Sequence, residues 1–203
     1  MDEVHDIRDA TSADMMALLV ETGTNSATGC GVAYLMSSLD PGFESAAFSV
    51  TKRRCAPELV FSHEVGHNLG LHHDTYVAPG PGLFAYSHGY VNIDSMNVPP
   101  GRPGIRTPLA YHSRCQDAGG ECVRIPYYST IEQLYNGQVI GDAVTADNVR
   151  TVRQSAALAA GFRAPLLLGT DAGDTASGAT WQRPECADPG DIGTCVPSGS
   201  ANA

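Results

Sequence analysis

The chain predicts an α/β (α+β) fold, and three observations carry that expectation. Three short apolar runs, Ala13 to Glu21, Gly31 to Met36 and Ala47 to Thr51, have the length and composition of strands. Two segments, Leu59 to Leu69 and Val149 to Ala160, place apolar residues as a helix with a buried face does. Between Asp74 and Arg106 the chain is dense in Pro and Gly, so a long irregular connection is expected there.

Taken in order, Asp2 to Asp9 reads as a short helix. Met15, Met16, Leu18, Leu19 and Val20 then make a nearly continuous apolar run, the pattern of a buried strand. Thr22 to Gly29 is a Gly, Asn, Ser and Thr turn region. Gly31 to Met36 is a second strand and a candidate sheet edge; an ordinary interior strand is the alternative. Ala47 to Thr51 gives the third strand. Pro57 suits the first turn of the next helix, where a missing N–H costs nothing, and Leu59, Val60, Phe61, Val65 and Leu69 supply its buried faces. Farther on, Tyr135-Asn136-Gly137 marks a turn. Thr145 is placed to cap a helix in which Val149, Val152, Ala156 and Ala160 recur at three- and four-residue spacing, closing the domain near Arg163. From Gly169 to Ala203 the composition shifts to Gly, Asp, Pro, Ser and Thr, which cannot bury enough apolar surface to order itself. The expected organisation is one domain over residues 1–165 and a linker or tail over 166–203.

The 203 residues carry a formal net charge of −10, which argues against nucleic acid as a partner. No apolar run approaches the length of a membrane span, and the polar start Met1-Asp2-Glu3-Val4-His5-Asp6 is not that of a signal peptide. Six cysteines with no C-x-x-C pair suggest disulfides, and chain order favours Cys30 with Cys55, Cys115 with Cys122, and Cys186 with Cys195. Free buried thiols are the alternative.

The most specific segment is His63-Glu64-Val65-Gly66-His67-Asn68-Leu69-Gly70-Leu71-His72-His73-Asp74. On a helix His63 and His67 project from one face and can meet one metal ion. Gly70 can take the left-handed conformation that ends a helix, which returns His73 to the same ion. Three protein ligands leave a fourth position open, the mark of a catalytic rather than a structural zinc. Zinc in such a site acidifies water to a pKa of about 7, and Glu64 stands where a carboxylate can take the proton. His72 is read as a neighbour of the third ligand, with an exchange of roles with His73 as the alternative. His88 and His112 are read as histidines outside the ligand set.

His63 to Asp74 resembles the H-E-x-x-H-x-x-G-x-x-H signature of the metzincin zinc endopeptidases. Asp74 directly after the third histidine, with Asn68-Leu69-Gly70, resembles the reprolysin (adamalysin-like) branch. Upstream, Cys30 to Met36 and Ala47 to Val50 are similar to the family's last two strands before the active-site helix, and Tyr111 to Phe162 is similar to its C-terminal subdomain. The resemblance implies a zincin fold with a mixed, mostly parallel sheet, an active-site helix and an irregular C-terminal subdomain. It implies a secreted, zinc-dependent endopeptidase acting on protein or peptide substrates, with one catalytic Zn2+ on His63, His67 and His73. Glu64 is then the general base and later proton donor, and Tyr111 supports the oxyanion or, alternatively, is only an aromatic wall. Val123 to Ser129 would wall the pocket for the side chain after the scissile bond. A structural Ca2+ is compatible with this reading, with no residues assigned to it, and the oligomeric state is left open.

Two departures qualify the resemblance. Where the family has a methionine turn below the zinc, Arg106 to Tyr111 carries Leu109, a volume-conserving exchange; Met96 is the competing candidate. The family also has a further strand, helix and strand ahead of the region where this chain begins. The expectation is therefore a fragment of a longer protein, or a start placed too late, with Met15, Leu18 and Val20 left uncovered. The competing functional readings are an inactive metzincin-like binding or adhesion module and a non-proteolytic metallohydrolase.

Overall fold

The computed structural model describes residues 2–21, 29–94 and 96–164. The chain divides into two compact units, Met1–Leu166 and Leu167–Ala203, and every described residue belongs to the first. The tail expected over 166–203, the Cys186–Cys195 pairing and most of the turn region 22–29 lie outside the described residues.

Helix α1 (Asp2–Thr11) precedes a three-stranded sheet of β1 (Met16–Val20), β2 (Gly31–Ala33) and β3 (Phe48–Lys52). The strand order is β1-β3-β2, so the last strand in the chain is the central one. It runs parallel to β1, with Met16 opposite Phe48, and antiparallel to β2, with Gly31 opposite Thr51. Because β1 lies at an edge, its apolar run is not buried as its pattern alone predicts: Leu18, among the residues expected to be uncovered, and Leu19 are 53% and 54% exposed. The second run is also shorter than expected. After Ala33 the chain leaves the ladder, and Met36 buries its side chain while its N–H donates to the His67 carbonyl at 3.0 Å.

Pro57 does not open the motif-bearing helix. It sits in a 3-10 turn, Arg53–Glu58, and Leu59 then takes a left-handed conformation (φ 59°) that separates this turn from helix α2 (Val60–Asn68). Nor is Phe61 on the buried face, since it is 41% exposed. Besides Val60, α2 buries His63, Glu64, His67 and Asn68, so polar groups occupy the face that apolar periodicity would assign to a core.

A second sheet has the order β4-β5-β6, from β4 (Val91–Asn92), β5 (Gly104–Arg106) and β6 (Cys122–Arg124), with helix α3 (Ser113–Asp117) between the last two. Strands β7 (Thr130–Tyr135) and β8 (Gln138–Ile140) form a hairpin through Asn136 (φ 49°) and Gly137 (φ 76°), the positive-φ pair that such a tight turn requires. Helix α4 (Asn148–Ala159) is capped by Asp147, whose side chain accepts from the Arg150 N–H at 3.0 Å; Thr145 instead donates to Asp142. Among the described residues β1–β3 and β5–β6 are the parallel pairings, against three antiparallel ones, so the sheets are mixed and not mostly parallel.

Among the described residues the buried apolar side chains form three small clusters. Met36, Ala47, Ala159 and Phe162 join the first sheet to α4; Val91, Ala110, Cys115 and Cys122 support α3; Ile105, Ile125 and Ile140 join the second sheet to the hairpin. The Ser155 hydroxyl of α4 donates to the Leu69 carbonyl at 2.8 Å, which fixes the end of α2. Arg163 pairs with Asp9 at 2.7 Å and with Glu44, tying the end of the domain to α1. Disulfides link Cys30 to Cys55 and Cys115 to Cys122, as chain order favoured. No helix among the described residues is long and apolar enough to cross a membrane.

Candidate metal centre

Helix α2 sets His63 and His67 one turn apart on one face, and its end then folds back. The Leu71 N–H donates to the Gly66 carbonyl at 2.9 Å and the Gly70 N–H to the His67 carbonyl at 3.0 Å, a Schellman closure with Gly70 at φ 83°. A side chain at Gly70 would also run into Leu83. The reversal brings His73 onto the other two rings. The three Nε2 atoms lie 3.1 Å (His63–His67), 3.2 Å (His63–His73) and 3.0 Å (His67–His73) apart. Among the described residues no other set of three His, Cys, Asp or Glu side chains could share an ion.

The donor set fits zinc. Tetrahedral zinc with Zn–N of about 2.0–2.1 Å spaces its nitrogens about 3.3 Å apart, close to the triangle seen here. The His63 Nδ1–H donates to the Pro108 carbonyl and the His67 Nδ1–H to the Leu71 carbonyl, each at 2.8 Å. Those bonds select the tautomer that leaves Nε2 free as a ligand atom and hold each ring in place. Burial, reinforced by the neighbouring imidazoles, lowers His63 to about 4 and His73 to about 3, and burial lowers His67 as well. The rings are therefore neutral, the form that binds metal.

Glu64 is 6% exposed, and burial lifts its carboxyl to about 7 against the opposing pull of Arg124. It packs on Gly31: a Cβ there would stand 2.5 Å from its Oε1. Tyr111 places its ring 4.6 Å from that of His73 and 6.0 Å from that of His63, and is 38% exposed. Leu109 is fully buried beneath α2; a Cβ at Gly66 would meet its Cδ2 at 3.2 Å. Met96 packs instead with the cluster around Cys115.

Other neighbours make contacts that the sequence did not reveal. Buried Asp74 accepts from the Tyr111 N–H at 2.8 Å and the Tyr76 N–H at 3.2 Å, so the residue after His73 anchors the segment bearing Leu109 and Tyr111. His88, 2% exposed, donates from Nδ1 to the His73 carbonyl at 2.7 Å, and its ring stacks on His72 at 5.2 Å. His72 itself accepts from the His73 N–H at 2.9 Å and contributes no ligand atom to the triangle. His112 is exposed and begins α3. The Tyr128 hydroxyl donates to the Ser62 carbonyl at 2.7 Å, pinning the 123–129 segment to α2. Asp74 and His72 are marked in the sequence by their places beside the third histidine, whereas the contact of His88 with His73 left no local sign.

Residues 1–74 match the family described as metallo-peptidase family M12B, reprolysin-like. The chain is similar to the peptidyl-Asp metalloendopeptidase of Stenotrophomonas maltophilia (strain K279a), 34% identical over 164 residues that cover 80% of this chain and 35% of the relative. It is also similar to the protein of the same name from Xanthomonas campestris pv. campestris, 32% identical over 164 residues, covering 80% of this chain and 34% of the relative. The chain thus spans about a third of the length of these curated relatives. A solved structure described as "Structure of a chaperone-substrate complex" shares the fold, with a TM-score of 0.54 and 18% identity over 81% of this chain and 23% of that one.

Proposed function

We propose that this chain, which carries a reprolysin-like metallopeptidase domain of family M12B, forms the catalytic part of a secreted zinc-dependent endopeptidase with a metzincin-like zincin fold. The observation that carries the reading is the triangle of neutral Nε2 atoms at 3.0–3.2 Å with a buried carboxylate one residue from its first member. His63, His67 and His73 would hold the ion. When bound, zinc supplies a Lewis acid that polarises the scissile carbonyl and acidifies water. Glu64 takes a proton from the attacking water and passes it to the leaving amine. The Tyr111 hydroxyl donates to the developing oxyanion. Strand β2 lies at the edge of its sheet with Val32 and Tyr34 exposed, so an extended substrate backbone can pair there. Two disulfides support an oxidising, extracellular destination. From the name of the relatives we extend to this chain a preference for bonds beside aspartate.

The test combines metal analysis with a peptide-library digest. The dialysed protein should hold about one zinc per chain, lost in His67→Ala. Glu64→Gln should keep the metal while turnover falls by about 10²- to 10⁴-fold. Zinc retained in His67→Ala, or parental cleavage by Glu64→Gln, would refute the assignment.

A further inference from the structure

Strands β5 and β6 run parallel in a register that sets Arg106 directly opposite Arg124. Like charges directly opposite destabilise a sheet. Among the described residues neither guanidinium has a carboxylate within salt-bridge distance. Each is tied down through Nη1 alone, Arg106 donating to the Ala110 carbonyl at 2.9 Å and Arg124 to the Glu58 carbonyl at 2.5 Å, and the Nε atoms of both are buried without a partner. Basic composition does not explain the pair, because the chain holds 22 acidic residues against 12 lysines and arginines. Glu58 acts on both from a distance, with Asp74 and Glu121 also acting on Arg106 and Glu64 on Arg124, but none of these carboxylates pairs with either guanidinium.

The pair lines a cavity of about 460 Å³ together with Glu58, with Pro57, Leu59, Val123 and Pro126 as its apolar walls. This cavity adjoins the metal centre along the chain on both sides. Arg106 lies two residues before Pro108, whose carbonyl holds the His63 ring, and Glu58, the anchor of Arg124, lies just ahead of α2. The Arg124 charge reaches the centre itself, where it opposes protonation of Glu64 and His63. An anion entering from solvent would relieve the Arg–Arg repulsion and meet N–H groups already aimed by their backbone bonds.

We infer that Arg106 and Arg124 receive the carboxylate of an acidic substrate side chain flanking the scissile bond, with Arg124 as the specificity-determining residue. This rests on the peptidase reading above. A structural pair neutralised by Glu58 would support the fold without choosing among substrates, so the two roles differ in what they do to a ratio.

The experiment uses the full chain and two quenched peptides that differ only by Asp or Asn at one position beside the cleaved bond, with products mapped by mass spectrometry. Cleavage is compared in the parent, Arg124→Gln, Arg124→Lys and Arg106→Gln, with zinc content and thermal unfolding measured for each. Binding of the same peptides to Glu64→Gln protein, with and without Arg124→Gln, is followed by fluorescence anisotropy. The parent should favour Asp over Asn by on the order of 10²-fold in kcat/KM. Arg124→Gln should bring that ratio to within a few-fold of one in both cleavage and binding, and Arg124→Lys should keep part of it. An Asp to Asn ratio near one in the parent overturns the inference, and so does a loss in Arg124→Gln that falls equally on both peptides. Failure of the parent to cleave any peptide refutes the peptidase reading instead. The binding arm then still decides, since absence of an Asp preference there overturns the arginine assignment. If Arg124→Gln does not fold, Arg106→Gln and Arg124→Lys carry the same comparison.

Discussion

Replacing Gly31 with alanine would put a methyl group where Glu64 now packs. The new Cβ would lie 2.5 Å from Oε1, 2.6 Å from Cγ and 2.8 Å from Cδ of Glu64. Ordinary contact needs about 3.5 Å, so one partner must move by about 1 Å. The strand is the stiffer of the two: Gly31 is paired with Thr51 on β3, and the adjacent Cys30 is bonded to Cys55. The carboxylate therefore yields. A misplacement of about 1 Å in a catalytic group costs about 10² in rate, or roughly 2.7 kcal/mol of barrier. Stability should change little, because the displaced atoms end a flexible side chain. Zinc should also stay, since the three imidazoles are held by Pro108, Leu71 and the Gly70 turn and not by Glu64. Steady-state cleavage of one peptide, zinc content and a thermal scan on the same preparation measure all three quantities. Turnover within twofold of the parent at full zinc would mean that the Glu64 carboxylate seen here is not in its working position. Loss of zinc would mean that β2 moved instead.

Other expectations follow from packing and capping. Leu109→Met conserves volume at a fully buried site and should cost less than about 1.5 kcal/mol in chemical denaturation, with zinc content unchanged; a larger loss would show that Leu109 is fitted by shape under Gly66. Removing the Cys30–Cys55 bond by double serine substitution opens a loop with a sequence separation of 25 and should lower stability by about 3 kcal/mol, read as a shifted denaturant midpoint. Asp147→Ala deletes the cap of α4 and should cost about 1 kcal/mol, or roughly 2–4 °C in Tm; Thr145→Ala should cost less, because Thr145 does not cap the helix.

What could be read from the sequence was the chemistry that acts within a dozen residues. His63, Glu64, His67, Gly70 and His73 form one segment whose helical spacing and left-handed turn bring the three rings together, while distant groups such as the Pro108 carbonyl only hold them. The Asn136-Gly137 hairpin and the Cys115–Cys122 bond are local in the same sense. Tertiary structure decided everything that depends on which distant segment arrives next. The apolar run of β1 by itself reads as a buried strand, and only the family resemblance pointed to an uncovered Leu18; the edge position that exposes Leu18 and Leu19 is tertiary, because burial belongs to the pair of surfaces and not to the run. Periodicity assigned Phe61 to a core, yet α2 turned its histidines, Glu64 and Asn68 inward, where His63, His67 and Asn68 donate to the Pro108, Leu71, Tyr34 and Phe48 carbonyls. Pro57 looked like a helix start until Leu59 took a positive φ, a choice set by the packing around it. Gly31 against Glu64, and Arg106 opposite Arg124, are contacts of register between segments far apart in the chain. No local pattern encodes register, because it follows from the joint packing of several elements, and in this domain it determines what surrounds a metal motif that the sequence states outright.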